Sequence, residues 1–384
     1  MDNVKREIAQ VFDDIADGLL TGSFGGRTRV GVTIMGSEHG EEELLKGAEL
    51  AQAADPSLEV VVIGSRHDTA LTQVEADCDR SAHEILDKML ESGELDAALT
   101  MHYSFPIGVS TVGRVVTPGY GRKMFIANTT GTSDTDRASA MLKNAIGGIA
   151  VAKACGKAEP TVGILNLDGG RQLERALIKL RDNGYRINFT ESARADGGVV
   201  MRGNDLLQGV PDIMVMDSLT GNVIIKVMSA FLTGGSYEGL GDGYGPGVGE
   251  GYDRIIGILS RASGAPVAAG AIAYMGACAK GGLLKKVNAE FKAAKKAGLD
   301  EILAGFAQAQ AKPASQDDVK APPEKVVTAE IPGVEILVLE DAVRALWKAG
   351  IYATSGMGCT GPIILVAPED REGAVEALRK AEFL

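Results

Sequence analysis

Six short aliphatic runs constrain this chain most: RVGVTIM (29–35), LEVVVIG (58–64), DAALTM (96–101), KMFIANT (123–129), TVGILNL (161–167) and DIMVMD (212–217). Each leads into Gly, Ser or Asp and then into a helical pattern. Strands this apolar have no face to give to water, so the runs read as buried strands of a largely parallel sheet joined by crossover helices. RINFTES (186–192) can add a further strand. At 384 residues the chain exceeds what one core usually holds, and more than one structural unit is expected.

Composition narrows the class. Hydrophobic residues make up 45% but aromatics only 5%, and Gly numbers 50, which fits a layered α/β protein with many tight turns and excludes disorder. A formal charge of −12 repels a phosphate backbone or an anionic lipid surface, so nucleic acid and membrane are set aside as partners. Residues 1–27 open with an amphipathic helical pattern and no apolar signal core. No run reaches the roughly 18 apolar residues of a spanning helix. A cytoplasmic protein is expected. Cys78, Cys155, Cys278 and Cys359 form no CxxC pair, and His39, His67, His83 and His102 lack ligand spacing, so neither a metal nor a disulfide framework is expected. Cys155 and Cys278 read as structural thiols.

Along the chain, residues 28–310 form the body. Within it, 234–253 carries nine glycines and no Lys; it is not a P-loop and reads as a mobile lid or a lobe connection, with plain connection placed ahead of ligand contact. From 251 the pattern turns helical, through YDRIIGILSRASG, an Ala-rich stretch at 267–278 and a lysine-rich helix at 283–297. Prolines among charged and small residues mark 311–330 as a linker. Residues 331–384 then read as strand (334–339), helix (341–350), two strands (351–356 and 362–368) and a final helix. A unit of about 54 residues has a marginal core and is expected to dock on something.

Two segments carry chemistry. In PDIMVMDSLTGNVIIKVMSAF (211–231) a strand ends at Asp217 and a polar turn leads into a helix expected to start near Asn222, with Val223, Ile224 and Val227 as its buried face. Free N–H groups and the positive end of a helix dipole attract anions, so this is either a phosphate site or an ordinary polar cap. In YATSGMGCTGP (352–362) Cys359 stands between glycines, where Gly358, Thr360 and Gly361 can aim backbone N–H groups at the sulfur or at an oxyanion beside it. No cationic side chain lies between Lys348 and Arg371, so activation of that thiol must come from elsewhere in the fold or from a partner. Arg261 and Ser263 could contact phosphate, though a helix terminus explains them more simply.

The Asp217, Thr220, Gly221, Asn222 pattern, with INFTESARADGGVVMRGNDLLQGVPDIMVMD before it, resembles the fatty acyl phosphate acyltransferase family over residues 28–300. That resemblance implies a two-lobed isocitrate dehydrogenase-like α/β fold, shared with phosphotransacetylases, and phosphate and acyl-donor binding at Asp217, Thr220, Gly221 and Asn222. Ser218 departs from the family's usual Gly, and the part beyond 330 has no expected counterpart there. A body of this kind joined to the SGMGCTGP unit is similar to the component C alpha-subunit family of glycine, sarcosine and betaine reductase complexes. This second resemblance implies an oligomeric enzyme that bears an acetyl thioester on Cys359 and releases acetyl phosphate. It implies inorganic phosphate as substrate with no cofactor, and as partners selenoprotein A and a ketoacyl synthase-like component C beta subunit. A stand-alone fatty acyl phosphate acyltransferase and a non-catalytic structural subunit are the competing readings.

Overall fold

The computed structural model describes residues 12, 15–16, 18–19, 26–195, 197–311, 319–335, 338–358 and 361–384. The helix expected over 1–27 therefore lies largely outside the described residues, as does the first part of the linker. The chain divides into two compact units: residues 1–165 with 184–297, and 166–183 with 298–384.

The first unit is built on one mixed sheet. Its first half holds β1 (Thr28–Thr33), β2 (Leu58–Gly64), β3 (Thr72–Glu75) and β4 (Ala97–Thr100), with α1 (Glu41–Ala54) and α2 (Asp79–Glu91) between them. Then come β5 (Val109–Val116), β6 (Lys123–Thr132), α3 (Arg137–Ala154) and β7 (Thr161–Leu165). After α4 (Gly170–Asp182), which belongs to the second unit, follow β8 (Asn188–Phe189), β9 (Val200–Met201), α5 (Gly203–Gln208), β10 (Ile213–Val215) and α6 (Ser218–Ala230). β11 (Gly245–Val248), β12 (Ile256–Ile258), α7 (Ala265–Lys280) and α8 (Leu283–Lys296) complete it. The strand order is β3-β2-β1-β4-β12-β11-β5-β6-β10-β7-β8, with β9 also on β7. Both flanks are parallel, and the centre is antiparallel, because β11 runs against β12 and β5, and β5 against β6. Val30, Val60, Val61, Ala97, Ile126, Ile213 and Ile256 are fully buried, as strands covered on both faces require.

Two expectations are corrected here. The stretch YDRIIGILSRASG, expected as a helix, holds β12 instead, whose Ile256 and Ile258 are buried together with the flanking Ile255 and Leu259; a short apolar run without an exposed stripe has no helical period to satisfy. The glycine-rich 234–253 is not a plain connection either, since it supplies β11 at the centre of the sheet. A Cβ on Gly245 would lie 1.7 Å from the Val112 carbonyl oxygen, and the residue has a φ of +77°, so only glycine fits where these strands meet.

The second unit contains α4, α9 (Leu299–Ala311), β13 (Ala329–Pro332), α10 (Leu339–Lys348), β14 (Ala353–Gly358), β15 (Gly361–Val366) and α11 (Arg371–Lys380). β15 is central and antiparallel to both neighbours. Ile331, Leu339, Leu346, Ile364, Val366 and Leu378 make its core, and the Trp347 indole donates to the Ala353 carbonyl at 2.9 Å. The strand expected at 334–339 falls instead at Ala329–Pro332. There Pro332 closes an edge strand, where a missing N–H costs nothing, while Val334 and Leu339 are buried as flanks of the core. Glu335 accepts the backbone N–H of Gln172 at 2.6 Å, tying α4 to this unit. Among the described residues no single helix is long and apolar enough to cross a membrane.

Candidate functional site

The carboxyl ends of parallel strands are where α/β sheets bind ligands, because helix N-termini and loops converge there. β10 ends in this way at Val215, and two residues on Asp217, with extended backbone, is the N-cap of α6. The helix thus starts at Ser218, four residues earlier than expected. The Asp217 carboxylate accepts the Thr220 N–H at 3.0 Å and the Thr220 hydroxyl at 2.8 Å, and it pairs with the Arg137 guanidinium at 2.9 Å. Partial burial opposes its charge, but these three partners win and hold its carboxyl below the usual carboxylate range.

The next two residues of the motif pack rather than point outward. A Cβ on Gly221 would meet the Asn128 carbonyl oxygen at 1.7 Å, so α6 lies on the end of β6 at a distance that only glycine allows. Asn222 Nδ2 donates to the Thr129 carbonyl at 3.1 Å, and Ser218 Oγ donates to that of Gly131 at 3.0 Å. With Gly221 inward, the buried face of α6 is Gly221, Ile225 and Met228. The expected buried face is corrected: Val223 and Val227 are exposed, together with Leu219.

One turn beyond Asn222, on the same face, stands Lys226. Its Nζ lies 3.2 Å from Glu238 Oε1 and 3.2 Å from Ser260 Oγ, just past the carboxyl end of β12. The other Glu238 oxygen accepts from Ser263 Oγ at 3.1 Å. Glu238 is 3% exposed, a buried carboxylate made tolerable by these partners, whereas the Lys226 side chain is 53% exposed. Tyr244 is 4% exposed, and its hydroxyl lies near Ser260 without a well-formed hydrogen bond in the protein. Its ring lies 6.0 Å from Lys226 Nζ, and its carbonyl accepts from Thr129 Oγ1 at 2.8 Å. Burial, then the nearby Glu238 charge, outweigh the opposing contact with Ser260 and push this hydroxyl well above the ordinary tyrosine range, so it remains an O–H donor. A buried donor without an acceptor costs about 1–3 kcal/mol, a cost that a bound oxyanion would remove.

Of the residues singled out in the sequence, Asp217, Thr220, Gly221 and Asn222 are brought together as the frame of α6. Ser263 is bound to Glu238, and Arg261 is exposed. Lys226, Glu238, Tyr244 and Ser260 were not singled out. Lys226 had a signal in its four-residue spacing from Asn222, while Tyr244 had none, being one residue of a glycine-rich segment. In the second unit Gly358 and Gly361 face each other at the last pair of the β14–β15 ladder. Cys359 and Thr360 lie outside the described residues. Among the described residues no three His, Cys, Asp or Glu side chains gather as a metal-holding group.

Comparison with known proteins gives a consistent relationship. A family model described as fatty acid synthesis protein matches residues 28–365, and so runs past the 28–300 expected for the likeness to phosphate acyltransferases and into the part beyond 330 for which no counterpart was expected. The component C subunit alpha of the glycine/sarcosine/betaine reductase complex from Peptoclostridium acidaminophilum is 56% identical over 381 residues, 99% of each chain. A phosphate acyltransferase from Thermotoga neapolitana is 27% identical over 52% of this chain and 68% of its own. A branched-chain phosphotransacylase structure from Enterococcus faecalis V583 covers 65% of this chain and 99% of its own at 15% identity and a TM-score of 0.46, too slight a likeness to bear on function. By full-length identity and by the family model, the chain belongs to the glycine/sarcosine/betaine reductase complex component C alpha-subunit family, within the wider fatty acid synthesis protein family.

Proposed function

We propose that this chain is the acetyl-transfer subunit of component C. Cys359 carries an acetyl thioester derived from the carboxymethyl group on the selenocysteine of selenoprotein A, flanked by Gly358, Thr360 and Gly361 as backbone donors to the thioester oxygen. An oxygen of inorganic phosphate attacks the thioester carbonyl, the carbon–sulfur bond breaks, and the Cys359 thiolate leaves as acetyl phosphate forms. The ketoacyl synthase-like beta subunit and selenoprotein A are the partners, phosphate is a substrate, and no cofactor takes part.

Phosphate is held at Lys226, Ser260 and Tyr244. Asp217, Thr220, Gly221 and Asn222 seat α6 so that Lys226 reaches the end of β12. The observation that supports this reading is the buried Tyr244, whose hydroxyl makes no well-formed hydrogen bond and whose ring lies 6.0 Å from a half-exposed ammonium group. Lys226 supplies charge, and the two hydroxyls supply directional donors that persist as negative charge builds on the transferring oxygens. Glu238 does not repel the anion outright, because Lys226 and Ser263 already occupy its oxygens.

The experiment is the Cys359→Ala variant in the reconstituted complex. Acetyl phosphate formation is abolished with the fold intact, and intact-mass analysis of the wild-type chain at limiting phosphate finds one added acetyl group that phosphate discharges. Undiminished acetyl phosphate from the variant overturns the assignment.

A further inference from the structure

Cys155 is the C-cap residue of α3, and Cys278 lies in the last turn of α7. They are 123 residues apart in sequence, yet their sulfurs are 3.8 Å apart. A disulfide bond measures about 2.05 Å, so small side-chain rotations close the gap. The helix ends are already pressed together without help from the thiols. A Cβ on Gly281, directly after α7, would sit 1.9 Å from the Ala154 carbonyl oxygen, so the backbones touch beside the two sulfurs.

The two thiols differ in kind. Cys278 is fully buried, whereas Cys155 is partly exposed. Near Cys155 lies an ionic group in which Arg114 Nε is 2.6 Å and Lys123 Nζ 3.1 Å from Asp242. The hydrogen bond from Cys278, against burial and with help from Arg114, holds the Cys155 thiol below the ordinary range; burial, then the Cys155 contact, pushes Cys278 well above it. One sulfur is suited to attack and the other to resolve, the division that thiol–disulfide exchange requires.

We propose that Cys155 and Cys278 form a reversible dithiol–disulfide couple, with Cys155 as the attacking sulfur and Cys278 as the resolving one, oxidised by a low-molecular-weight disulfide. The Cys155 thiolate attacks one sulfur of R–S–S–R, forming a mixed disulfide and releasing RS⁻. The Cys278 sulfur then attacks Sγ of Cys155 and releases the second RS⁻. Two protein thiols are oxidised, one disulfide is reduced to two thiols, and the two protons pass to the released thiolates.

The test treats the full chain with 2-hydroxyethyl disulfide, alkylates the remaining thiols after unfolding, and maps the peptides by mass spectrometry. A linked peptide pair containing Cys155 and Cys278 is expected, cleaved again by dithiothreitol. Cys278→Ser should accumulate a stable adduct on Cys155, and Cys155→Ser should leave Cys278 unmodified. Exposed Cys78 reports that the reagent is active. If Cys78 is modified while Cys155 and Cys278 in the wild-type chain remain free thiols or carry only separate adducts, the couple does not exist. That reading needs no variant to fold.

Discussion

Two successive turns of α6 use polar residues in opposite ways. In the first, Asp217, Thr220 and Asn222 bond to protein partners, and Gly221 is there for contact with Asn128. In the second, Lys226 bonds to Glu238 and Ser260 with its ammonium half-exposed, 6.0 Å from the ring of buried Tyr244. The turn with the recognisable motif is internally satisfied, and the turn without one carries a half-exposed ammonium group. In the function proposed above the motif is the scaffold beside the site, because satisfied geometry is what holds a reactive group in place.

Gly221→Ala is the most severe way to probe the first turn. Its Cβ would have to displace backbone at Asn128, which should cost about 3 kcal/mol of stability, read as a lower midpoint in thermal unfolding. A near-neutral result would mean that α6 is free to slide and that the frame is not set there. The second turn is best probed by Lys226→Met combined with Glu238→Gln, because removing Lys226 alone strands a buried carboxylate. The double variant should stay folded by circular dichroism and need roughly 10- to 100-fold more phosphate for half-maximal acetyl phosphate formation. A smaller effect belongs to Asp217→Asn. The folded carboxyl of Asp217 is depressed below its unfolded value of about 3.9, so its stabilisation is present above that pH and fades as pH falls through the folded value. At pH 7 the variant should be about 1 kcal/mol less stable, with the difference shrinking towards pH 3. A difference independent of pH would show that the charge is not what matters.

Much of this fold is legible in the chain. The Val- and Ile-rich runs that became β1, β2, β4, β6, β7 and β10 announce a buried parallel sheet, since nothing else accommodates strands so apolar. β11 and β12 were hidden for opposite reasons. β11 is spelled in glycines because Val112 approaches too closely for a side chain, and β12 is a short apolar run that a helix could equally contain. The phase of α6 was missed because it depends on Asp217 capping the helix at Ser218, a choice between cap positions that sequence leaves open. Lys226, Tyr244 and Ser260 come from three separated elements and meet only through the sheet order, as do Cys155 and Cys278 through the packing of helix ends.

The phosphate requirement of the Tyr244→Phe enzyme, set beside that of Thr220→Val, tests the account most directly. Tyr244→Phe removes a buried hydroxyl that makes no well-formed hydrogen bond in the protein, at almost constant volume. Its stability should therefore be unchanged or slightly higher, while the phosphate concentration for half-maximal acetyl phosphate formation rises about tenfold, one hydrogen bond to a charged oxygen. Thr220→Val removes a hydroxyl that serves Asp217, and should lower stability by about 1 kcal/mol with phosphate use unchanged. The reverse pattern, a raised phosphate requirement in Thr220→Val and a normal one in Tyr244→Phe, would place the anion at the first turn of α6 and contradict the account.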